Sequence, residues 1–363
     1  MKLKSGKSEV SRIYQVGQFI RESELKSDEK FLKLNQGVNN VVHPDIKKII
    51  NNLDFGIRPF AYPPNDGYGD LKEAINQEFF FGTADLNNIV ITPGSVGALD
   101  IIMQLIDSRN IYLPEFFWGP YKIIAENRRL SPKYYKSYDT NLKPGDSIII
   151  CDPNNPTGVK LDDDKLYDWI LELTKKDIFV IFDSPYRRLF KDRTDDLFYK
   201  LMNLQNLVIV ESFSKSLSLP GMRCGFIHSK EPNLVKEFRT RLLYTAGGVS
   251  AMTQLVVRDL LNTDIGKEEI AIFKAITTEN INKNIDWLNE HNLVSKELYV
   301  SRPEGLFIIV NLDEKLLLDN YIGAVTLPFF TEIEENKEKY KDHSRICLSV
   351  KNEIFVKYFE NLV

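Results

Sequence analysis

Short runs of apolar and β-branched residues recur along the first two thirds of the chain. The runs cover residues 89–91, 111–113, 147–150, 178–182 and 207–210. They lack alternating polar positions, which is typical of strands buried on both faces of a parallel sheet. Between two of them, Leu99, Ile102, Met103 and Ile106 have the spacing of one helix face. This alternation predicts an α/β fold around a central sheet.

The last part of the chain has a different order of elements. Residues 265–292 carry one apolar stripe at helical spacing, which predicts a single long helix. Residues 297–312, 324–330 and 344–350 then have the composition of strands, an α+β pattern. The chain has 363 residues, and single cores stop growing beyond roughly 250–300 residues, so we expect two domains.

We place the boundary of the two domains inside the long helix, near residue 280. The large domain then covers residues 41–280 and the small one residues 281–363. Residues 1–40 form an N-terminal segment that joins the small domain.

Four polar clusters each follow directly on a predicted strand, where open α/β sheets form their ligand crevice. The first contains Ser95, Val96 and Gly97, in a turn of small residues that opens into a helix. Free backbone amides and a positive dipole end suit a phosphate at such a place. The alternative is a plain turn in which Ser95 caps the helix.

The second cluster is Asp152-Pro153-Asn154-Asn155-Pro156-Thr157-Gly158. Two prolines and a glycine fix its backbone, so Asn155 can be held firmly against a ligand, although an Asx-type turn is the simpler interpretation. The third cluster places the carboxylate of Asp183 at a strand end and the phenol of Tyr186 three residues later. Helix capping by Asp183 is the alternative there.

The fourth cluster contains Ser212, Ser214, Lys215 and, eight residues further on, Arg223. A neighbouring cation and partial burial would lower the pKa of the lysine and free its amine to form a Schiff base. The hydroxyls and the guanidinium can then bind a dianionic phosphate.

The string from Ser212 to Lys215, followed by Pro220-Gly221-Met222-Arg223-Cys224-Gly225-Phe226, resembles the cofactor-lysine motif of fold-type I aminotransferases of class I/II. Supporting segments occur in family order from about residue 34 to residue 350. The resemblance implies pyridoxal 5′-phosphate as cofactor and a large domain whose mainly parallel seven-stranded sheet lies between helices. It also implies ping-pong transfer of an amino group between an amino acid and a 2-keto acid.

The resemblance implies a role for each matching residue. Lys215 would bind the cofactor covalently and shuttle the Cα proton, Asp183 would pair with the ring nitrogen, and Asn155 and Tyr186 would bind the ring's phenolic oxygen. Trp118 would stack on the ring, with Phe117 as the alternative. The phosphate would be held by Ser95, Val96, Gly97, Ser212, Ser214 and Arg223.

Substrate binding and assembly are also implied. Arg345 would hold the substrate α-carboxylate together with Asn155, although a salt bridge within the small domain is the alternative. Gly37 and Val38 resemble a strand that closes over the substrate. Tyr62 resembles a tyrosine that reaches the phosphate of the other subunit, which implies a homodimer with shared active sites.

The chain departs from the family pattern where the substrate side chain would bind. Residues 326–330 stand where relatives usually have a Pro-Gly turn, and Phe329 and Phe330 are either an apolar pocket or core. No second arginine for a dicarboxylate is evident, Arg58 being only a nearby guess. We therefore expect aromatic, aliphatic or small polar substrates rather than dicarboxylates.

Composition limits the other possibilities. The net charge is -4, so no basic field for nucleic acid is expected. The three cysteines have no metal or disulfide spacing, and neither a secretory signal nor an apolar run of membrane length is found, which favours the cytoplasm. His343 with Cys347 lacks further metal ligands, and Gly6-Lys7-Ser8 lacks the first glycine of a P-loop. A decarboxylase or lyase that uses the same cofactor remains open, as does a non-catalytic binding protein.

Overall fold

The structure is a computed structural model, which describes residues 10–138, 142–299 and 301–363. The Gly6-Lys7-Ser8 string lies outside these residues. The α-helices are α1 (Arg12–Lys26), α2 (Ile46–Ile50), α3 (Gly69–Phe80), α4 (Gly94–Leu105), α5 (Pro120–Asn127), α6 (Asp163–Lys175), α7 (Arg187–Phe190), α8 (Leu197–Leu201), α9 (Phe213–Ser216), α10 (Pro232–Ala246), α11 (Ala251–Asn262), α12 (Asp264–Glu290), α13 (Glu314–Asp319), α14 (Glu334–Lys339) and α15 (Asn352–Phe359). The strands are β1 (Leu32–Lys33), β2 (Ile89–Thr92), β3 (Asn110–Pro114), β4 (Ser131–Tyr135), β5 (Ser147–Cys151), β6 (Phe179–Asp183), β7 (Leu207–Ser212), β8 (Gly225–His228), β9 (Phe307–Val310), β10 (Ile322–Gly323), β11 (Val325–Thr326) and β12 (Ser344–Cys347).

Seven strands form the central sheet, in the order β2-β8-β7-β6-β5-β3-β4. The pairs from β7 to β4 are parallel, whereas β8 runs antiparallel to both of its neighbours. The α/β class and the mainly parallel seven-stranded sheet are therefore confirmed. The prediction that residues 89–91 form a parallel strand is wrong in its pairing, because β2 pairs with antiparallel β8.

Two strands of this sheet have no counterpart among the predicted apolar runs. β4 lies at the edge of the sheet, is partly exposed and contains Pro132, so it lacks the apolar pattern of a central strand. β8 is a four-residue strand that begins at Gly225. A Cβ on Gly225 would lie 2.3 Å from the carbonyl oxygen of Glu211, so a glycine at this position lets β8 approach β7. The same glycine weakens the sequence signal for a strand.

The apolar runs are explained by two separate cores, one on each face of the sheet. Successive side chains of a strand point to opposite faces, and in β5 Ile149 and Cys151 enter one core while Ile148 and Ile150 enter the other. Helices α4, α5 and α10 cover the first face, and α3, α6, α8 and α11 cover the second. Polar residues at the alternate positions would be buried, which accounts for their absence.

The C-terminal part contains a three-stranded antiparallel sheet, β11-β12-β9, and the short parallel pair β1-β10. The strands are shorter than predicted. Among the described residues of 297–312, only those of β9 form a strand, since Pro303 and Gly305 precede it. Within residues 324–330, β11 ends where Pro328, which lacks an N–H, enters a 3₁₀ turn over Leu327–Phe330.

Helix α12 confirms the predicted long helix of residues 265–292. Its buried residues include Phe273, Ile281, Ile285 and Leu288, as the apolar stripe indicated. The helix continues through residue 280, so the domain boundary placed there stays a prediction. None of the helices among the described residues is long and apolar enough to cross a membrane.

Candidate active site

A cavity of about 230 Å³ lies where the central strands end. Loops after β2, β3, β5, β6 and β7 contribute to it, together with β12 and the segment that follows β1. The predicted site residues that line it are Gly37, Ser95, Val96, Trp118, Asn155, Asp183, Tyr186, Ser212, Ser214, Lys215, Arg223 and Arg345. Parallel strands bring their carboxyl ends to one edge of a sheet, so residues far apart in sequence meet here.

Lys215 lies in the short helix α9, directly after β7. Its Nζ donates a hydrogen bond to the backbone carbonyl oxygen of Gly37. Burial lowers the pKa of Lys215 to about 8, and the positive charges of Arg345 and Arg223 act in the same direction. The amine is therefore much closer to its neutral, nucleophilic form at neutral pH than an exposed lysine is.

Asp183 ends β6 and lies between Cys151 of β5 and Val210 of β7. One carboxylate oxygen, Oδ2, accepts a hydrogen bond from the hydroxyl of Tyr121, while the buried Oδ1 has no partner among the described residues. Burial raises the pKa of Asp183 to about 7, and the Tyr121 hydrogen bond opposes this rise. Asp183 caps no helix, since Tyr186 is the N-cap of α7 and makes no side-chain capping bond.

Asn154 and Asn155 have different roles in their loop: the first stabilises the turn, and the second faces the cavity. Oδ1 of Asn154 accepts from the backbone N–H of Thr157 at 3.2 Å, three residues on, so this side chain stabilises the turn itself. Asn155 instead faces the cavity, where its Nδ2 donates to the hydroxyl of Tyr186 at 2.9 Å. Two hydrogen-bonding side chains are thus held together on one wall of the cavity.

A group of hydroxyls, amides and one guanidinium lies at the start of α4. The N-cap of α4 is Pro93, so Ser95 does not cap the helix, and its first amides remain free. Across from them, the hydroxyls of Ser212 and Ser214 are 3.1 Å apart, and Nη1 of Arg223 is 3.5 Å from Ser214 Oγ. A Cβ on Gly94, whose φ is +76°, would lie 3.0 Å from Arg223 Nη2. This arrangement suits a phosphate.

Arg345 is buried in β12, with only 1% of its surface exposed. Its guanidinium donates to two neutral oxygens, Asn155 Oδ1 at 3.3 Å and the carbonyl of Asn35, and its Nε has no partner among the described residues. It also lies over the ring of Phe307, 4.3 Å from the centroid. Burial lowers the pKa of Arg345 to about 10. A buried cation with unsatisfied donors suits an anionic ligand, and the alternative of a salt bridge is not borne out within the described residues.

The segment with Gly37 and Val38 is not a strand, because β1 ends at Lys33. Its backbone carbonyl oxygens accept hydrogen bonds from side chains instead of from a neighbouring strand. Arg345 donates to the carbonyl of Asn35, Lys215 to that of Gly37 and Ser349 to that of Val38. A Cβ on Gly37 would lie 2.6 Å from Phe307 Cζ, so only glycine fits against that ring. Gly37 lines the cavity, whereas Val38 does not.

Two other predicted residues lie outside the cavity lining. Gly97 is in the first turn of α4, where a Cβ would lie 2.6 Å from Pro93 Cγ, so its role here is packing. The side chain of Tyr62 is 97% exposed and does not reach the cavity of its own chain. Of the two candidate stacking residues, Trp118 lines the cavity, while Phe117 is buried and stacks on Tyr134.

The residues considered for recognition of the substrate side chain also lie outside the cavity lining. Arg58 pairs with Asp70 at 2.8 Å and does not line the cavity. Phe330 is buried, packs against Arg345 and belongs to the core of the C-terminal part, so the core interpretation holds for it. The cavity lining also includes residues to which the sequence analysis gave no role: Ile13, Gln36, Tyr121, Pro185, Pro220 and Phe307. Tyr121 could have been found, since Pro120 favours the first position of a helix and Tyr121 follows Trp118 by three residues.

Comparisons with known proteins bear on what this site does. The family model for aminotransferase class I and II matches residues 29–353. The chain belongs to this family. Among its relatives, a histidinol-phosphate aminotransferase of Brachyspira hyodysenteriae is 26% identical over 351 residues, which cover 88% of this chain and 94% of that one. A probable N-acetyl-LL-diaminopimelate aminotransferase of Bacillus subtilis is 26% identical over 268 residues, or 69% of this chain and 66% of the other.

Solved structures share the aminotransferase fold over the whole chain. Apo-BacF from Bacillus subtilis superposes with a TM-score of 0.84 at 17% identity, covering 100% of this chain and 98% of its own. A double mutant of Thermus thermophilus aspartate aminotransferase gives a TM-score of 0.83 at 15% identity, covering 100% and 99%. The fold is thus that of fold-type I, and the protein is an aminotransferase that uses pyridoxal phosphate.

The residues of the cavity fit this cofactor. The unpartnered Oδ1 of buried Asp183 suits a protonated ring nitrogen, because an ionised carboxylate in such a place needs a cation beside it. The amine of Lys215 suits covalent attachment, and the free amides of α4 with Ser212, Ser214 and Arg223 suit the phosphate. Among the described residues no group of three potential metal ligands occurs.

Proposed function

We propose that this aminotransferase works by a ping-pong mechanism in which Lys215 is the catalytic base. One observation carries the assignment, which is the convergence of three groups on one cavity. They are the amine of Lys215, the carboxylate of Asp183 and the guanidinium of Arg345, and the last two each keep an atom that has no partner among the described residues. Bound pyridoxal phosphate supplies an electron sink for the Cα of an amino acid and a carrier for its amino group.

Each of the chain's own groups then has one task. Lys215 holds the cofactor covalently at rest and, once released, takes the proton from the substrate Cα and returns it on the cofactor side. Asp183 keeps the ring nitrogen protonated through Oδ1. Asn155 and Tyr186 donate to the ring oxygen, Trp118 packs on the ring, and Ser95, Val96, Ser212, Ser214 and Arg223 bind the phosphate. Gly97 supports the phosphate-binding turn.

Arg345 binds the substrate α-carboxylate in this proposal, and Asn155, Gly37 and Val38 complete that end of the site. A carboxylate would replace the carbonyl of Asn35 as the acceptor of the guanidinium, exchanging a neutral partner for a charged one. Fixing the carboxylate orients the Cα–H bond and favours deprotonation over loss of carbon dioxide. The relatives reported above are aminotransferases, which also favours this reaction over a decarboxylase or lyase.

We further propose that the substrate side chain is uncharged. The charged residues that line the cavity are Asp183, Lys215, Arg223 and Arg345, and each already has a task. The remaining lining near Arg345 is formed by Ile13, Gln36 and Phe307, which suit an apolar or small polar side chain. The histidinol phosphate and N-acetyl-diaminopimelate named for two relatives each carry a further anionic group, so this proposal expects that neither is a substrate, and the same screen can test it.

A homodimer with shared active sites completes the proposal. Large apolar side chains are exposed on two neighbouring segments, with Phe60 and Tyr62 on one and Leu243 and Tyr244 on the other. The segments are close, since a Cβ on Gly248 would lie 3.3 Å from the carbonyl oxygen of Pro64. A second copy would cover this surface and bring Tyr62 to the partner's phosphate. We place the protein in the cytoplasm, where its three free, buried cysteines would stay reduced.

The test is a single half-reaction with each candidate amino acid. Cofactor-loaded enzyme without a keto acid should convert the amino acid into its 2-keto acid once per active site and then stop. Adding a second keto acid should restart turnover. Release of carbon dioxide or of free ammonia would instead assign a decarboxylase or lyase, because transamination leaves the amino group on the cofactor.

A further inference from the structure

Two side chains that the proposed function assigns to the ring oxygen come from different segments of the chain. Asn155 lies in the loop between β5 and α6, and Tyr186 lies just before α7. They are in contact, since Asn155 Nδ2 donates to the Tyr186 hydroxyl at 2.9 Å. Both can donate to one ligand oxygen only if the two segments keep a fixed separation, so whatever ties the segments together affects the site.

The loop of Asn155 is closed at its base by the carboxylate of Asp152. Asp152 is completely buried, and its Oδ1 accepts the backbone N–H of Leu161 at 2.7 Å, on the far side of the loop. Its Oδ2 is 3.4 Å from Nη1 of Arg187. The same carboxylate therefore closes the loop and faces the residue that follows Tyr186 in the chain.

Arg187 is held by more than this one contact. Its guanidinium binds Asp163, with Nη1 at 2.8 Å and Nη2 at 3.0 Å, and it also binds Asp195, with Nε at 2.7 Å. Only 1% of Arg187 is exposed, and it does not line the cavity. A planar guanidinium held on two sides has one orientation, so its remaining face toward Asp152 is fixed as well.

We infer that Arg187 is a positioning residue, which acts through Asp152 to hold the Asn155 loop against Tyr186. The inference rests on the proposed function, because it takes Asn155 and Tyr186 to be the donors to the ring oxygen. Three buried or half-buried carboxylates surround Arg187, and Lys160 is the second cation among them, 2.6 Å from Asp163. Loss of the guanidinium leaves Asp152 with Lys160 but without the cation on α7, so the loop base loses its attraction to α7.

The experiment measures the pH midpoint at which the absorbance of the enzyme-bound cofactor changes. Asn155→Ala sets the reference shift, because it removes one donor directly. Arg187→Met and Asp152→Asn should shift the midpoint in the same direction, each by at least a third of that reference. Asp152→Asn keeps the volume and the acceptor for Leu161, so it also covers the case in which Arg187→Met does not fold.

Two control variants separate positioning from general stability. Arg188 is as buried as Arg187 and pairs with Glu78, outside the Asn155 loop, so Arg188→Met should lower the melting temperature without moving the midpoint. Asp195→Asn weakens the ion pair that holds Arg187 on the side away from Asp152. It should move the midpoint less than Asp152→Asn does. Combining Asn155→Ala with Arg187→Met should give less than the sum of the two shifts, because both act on one donor.

The outcomes distinguish the two levels of the proposal. If Asn155→Ala moves the midpoint but Asp152→Asn does not, the positioning role of Arg187 is wrong and the proposed function stands. Equal shifts in the Arg187→Met and Arg188→Met variants would have the same meaning. If Asn155→Ala itself leaves the midpoint unchanged, the assignment of Asn155 fails, and the inference fails with it.

Discussion

The hydroxyl of Tyr121 donates a hydrogen bond to one oxygen of Asp183 and leaves the other oxygen for a ligand. Both side chains are buried, and the pKa of Tyr121 is raised by burial and by the neighbouring carboxylate, so the phenol keeps its proton. Tyr121 therefore has one fixed role as a donor. It stabilises the ionised form of a carboxylate whose pKa burial raises to about 7.

Replacing Tyr121 with Phe should weaken cofactor binding near neutral pH. Without the donor, the pKa of Asp183 rises further and the neutral carboxyl predominates at pH 7, so the charge that attracts the ring nitrogen is lost. We expect a Kd for pyridoxal phosphate about 10-fold higher at pH 7, with recovery above about pH 8.5. Tyr135→Phe is the control, since that buried hydroxyl donates to Ile149 at 2.8 Å outside the cavity. Equal effects of both variants would contradict the prediction.

Lys215→Ala should abolish covalent attachment of the cofactor, as measured by mass after borohydride reduction. Lys274 offers a matched control, because burial also lowers its pKa to about 8 but it lies outside the cavity. Lys274→Met should keep the adduct. The wild-type attachment rate should rise with pH up to about 8, since the neutral amine is roughly one tenth of the total at pH 7. An adduct in the Lys215→Ala variant would refute the assignment.

Asp183→Asn should make the apo-protein more stable and the enzyme less active. The folded-state pKa of about 7 lies above the value of roughly 3.9 in an unfolded chain, so stability is lost as the pH rises between these two values, and the full penalty of this carboxyl is present above pH 7. The variant should gain about 2–4 kcal/mol in free energy of unfolding at pH 8, and little at pH 4, in urea titrations of apo-protein.

Turnover of the same variant should fall about 100-fold, because a neutral amide cannot keep the ring nitrogen protonated. Activity at the wild-type level would exclude the proposed role of Asp183.

Arg345→Met should raise the KM for amino acids about 100-fold, since a buried cation that meets the α-carboxylate is lost. A primary amine with the same side chain and no carboxylate provides the comparison, and its KM should hardly change. Arg345→Lys should be intermediate, because a lysine offers one point charge in place of two parallel donors. A similar loss for the amine and the amino acid would point to a structural role of Arg345.

Most of the central sheet could be predicted from sequence because its strands are buried on both faces. β5 has apolar residues at every position from Ile148 to Ile150, and an unbroken β-branched run of this kind is typical of a central parallel strand. β8 could not be found in this way, since its approach to β7 depends on Gly225, and close approach leaves no apolar signal. The short strands of the C-terminal part were overestimated because Pro328 ends β11 in a way that composition alone does not show.

The candidate site could be predicted where a motif fixes the local backbone. Asp183 ends a strand and Lys215 and Asn155 each follow one, and strand order then brings them together. Ile13 and Gln36 could not be predicted, because their place in the cavity depends on long-range contacts. Ile13 packs against the core cluster that contains Phe330. Arg345 binds the carbonyl of Asn35, the neighbour of Gln36. Tyr62 stays a prediction, since its side chain extends away from its own chain.

The segment with Gly37, which forms one wall of the cavity, is held by residues near the end of the chain, so it can reach its final position only late in synthesis. β1 pairs with β10, the carbonyl of Leu34 accepts from Cys347 at 2.9 Å, and Ser349 holds Val38 at 3.0 Å. At a synthesis rate of roughly 5–20 residues per second, these partners leave the ribosome some 15–60 s after the segment itself. The central sheet can pair its strands during that interval, whereas the substrate end of the cavity has to wait. A chain released before residue 322 would therefore carry the lysine and its phosphate cradle but none of these partners, which hold the Gly37 segment in place.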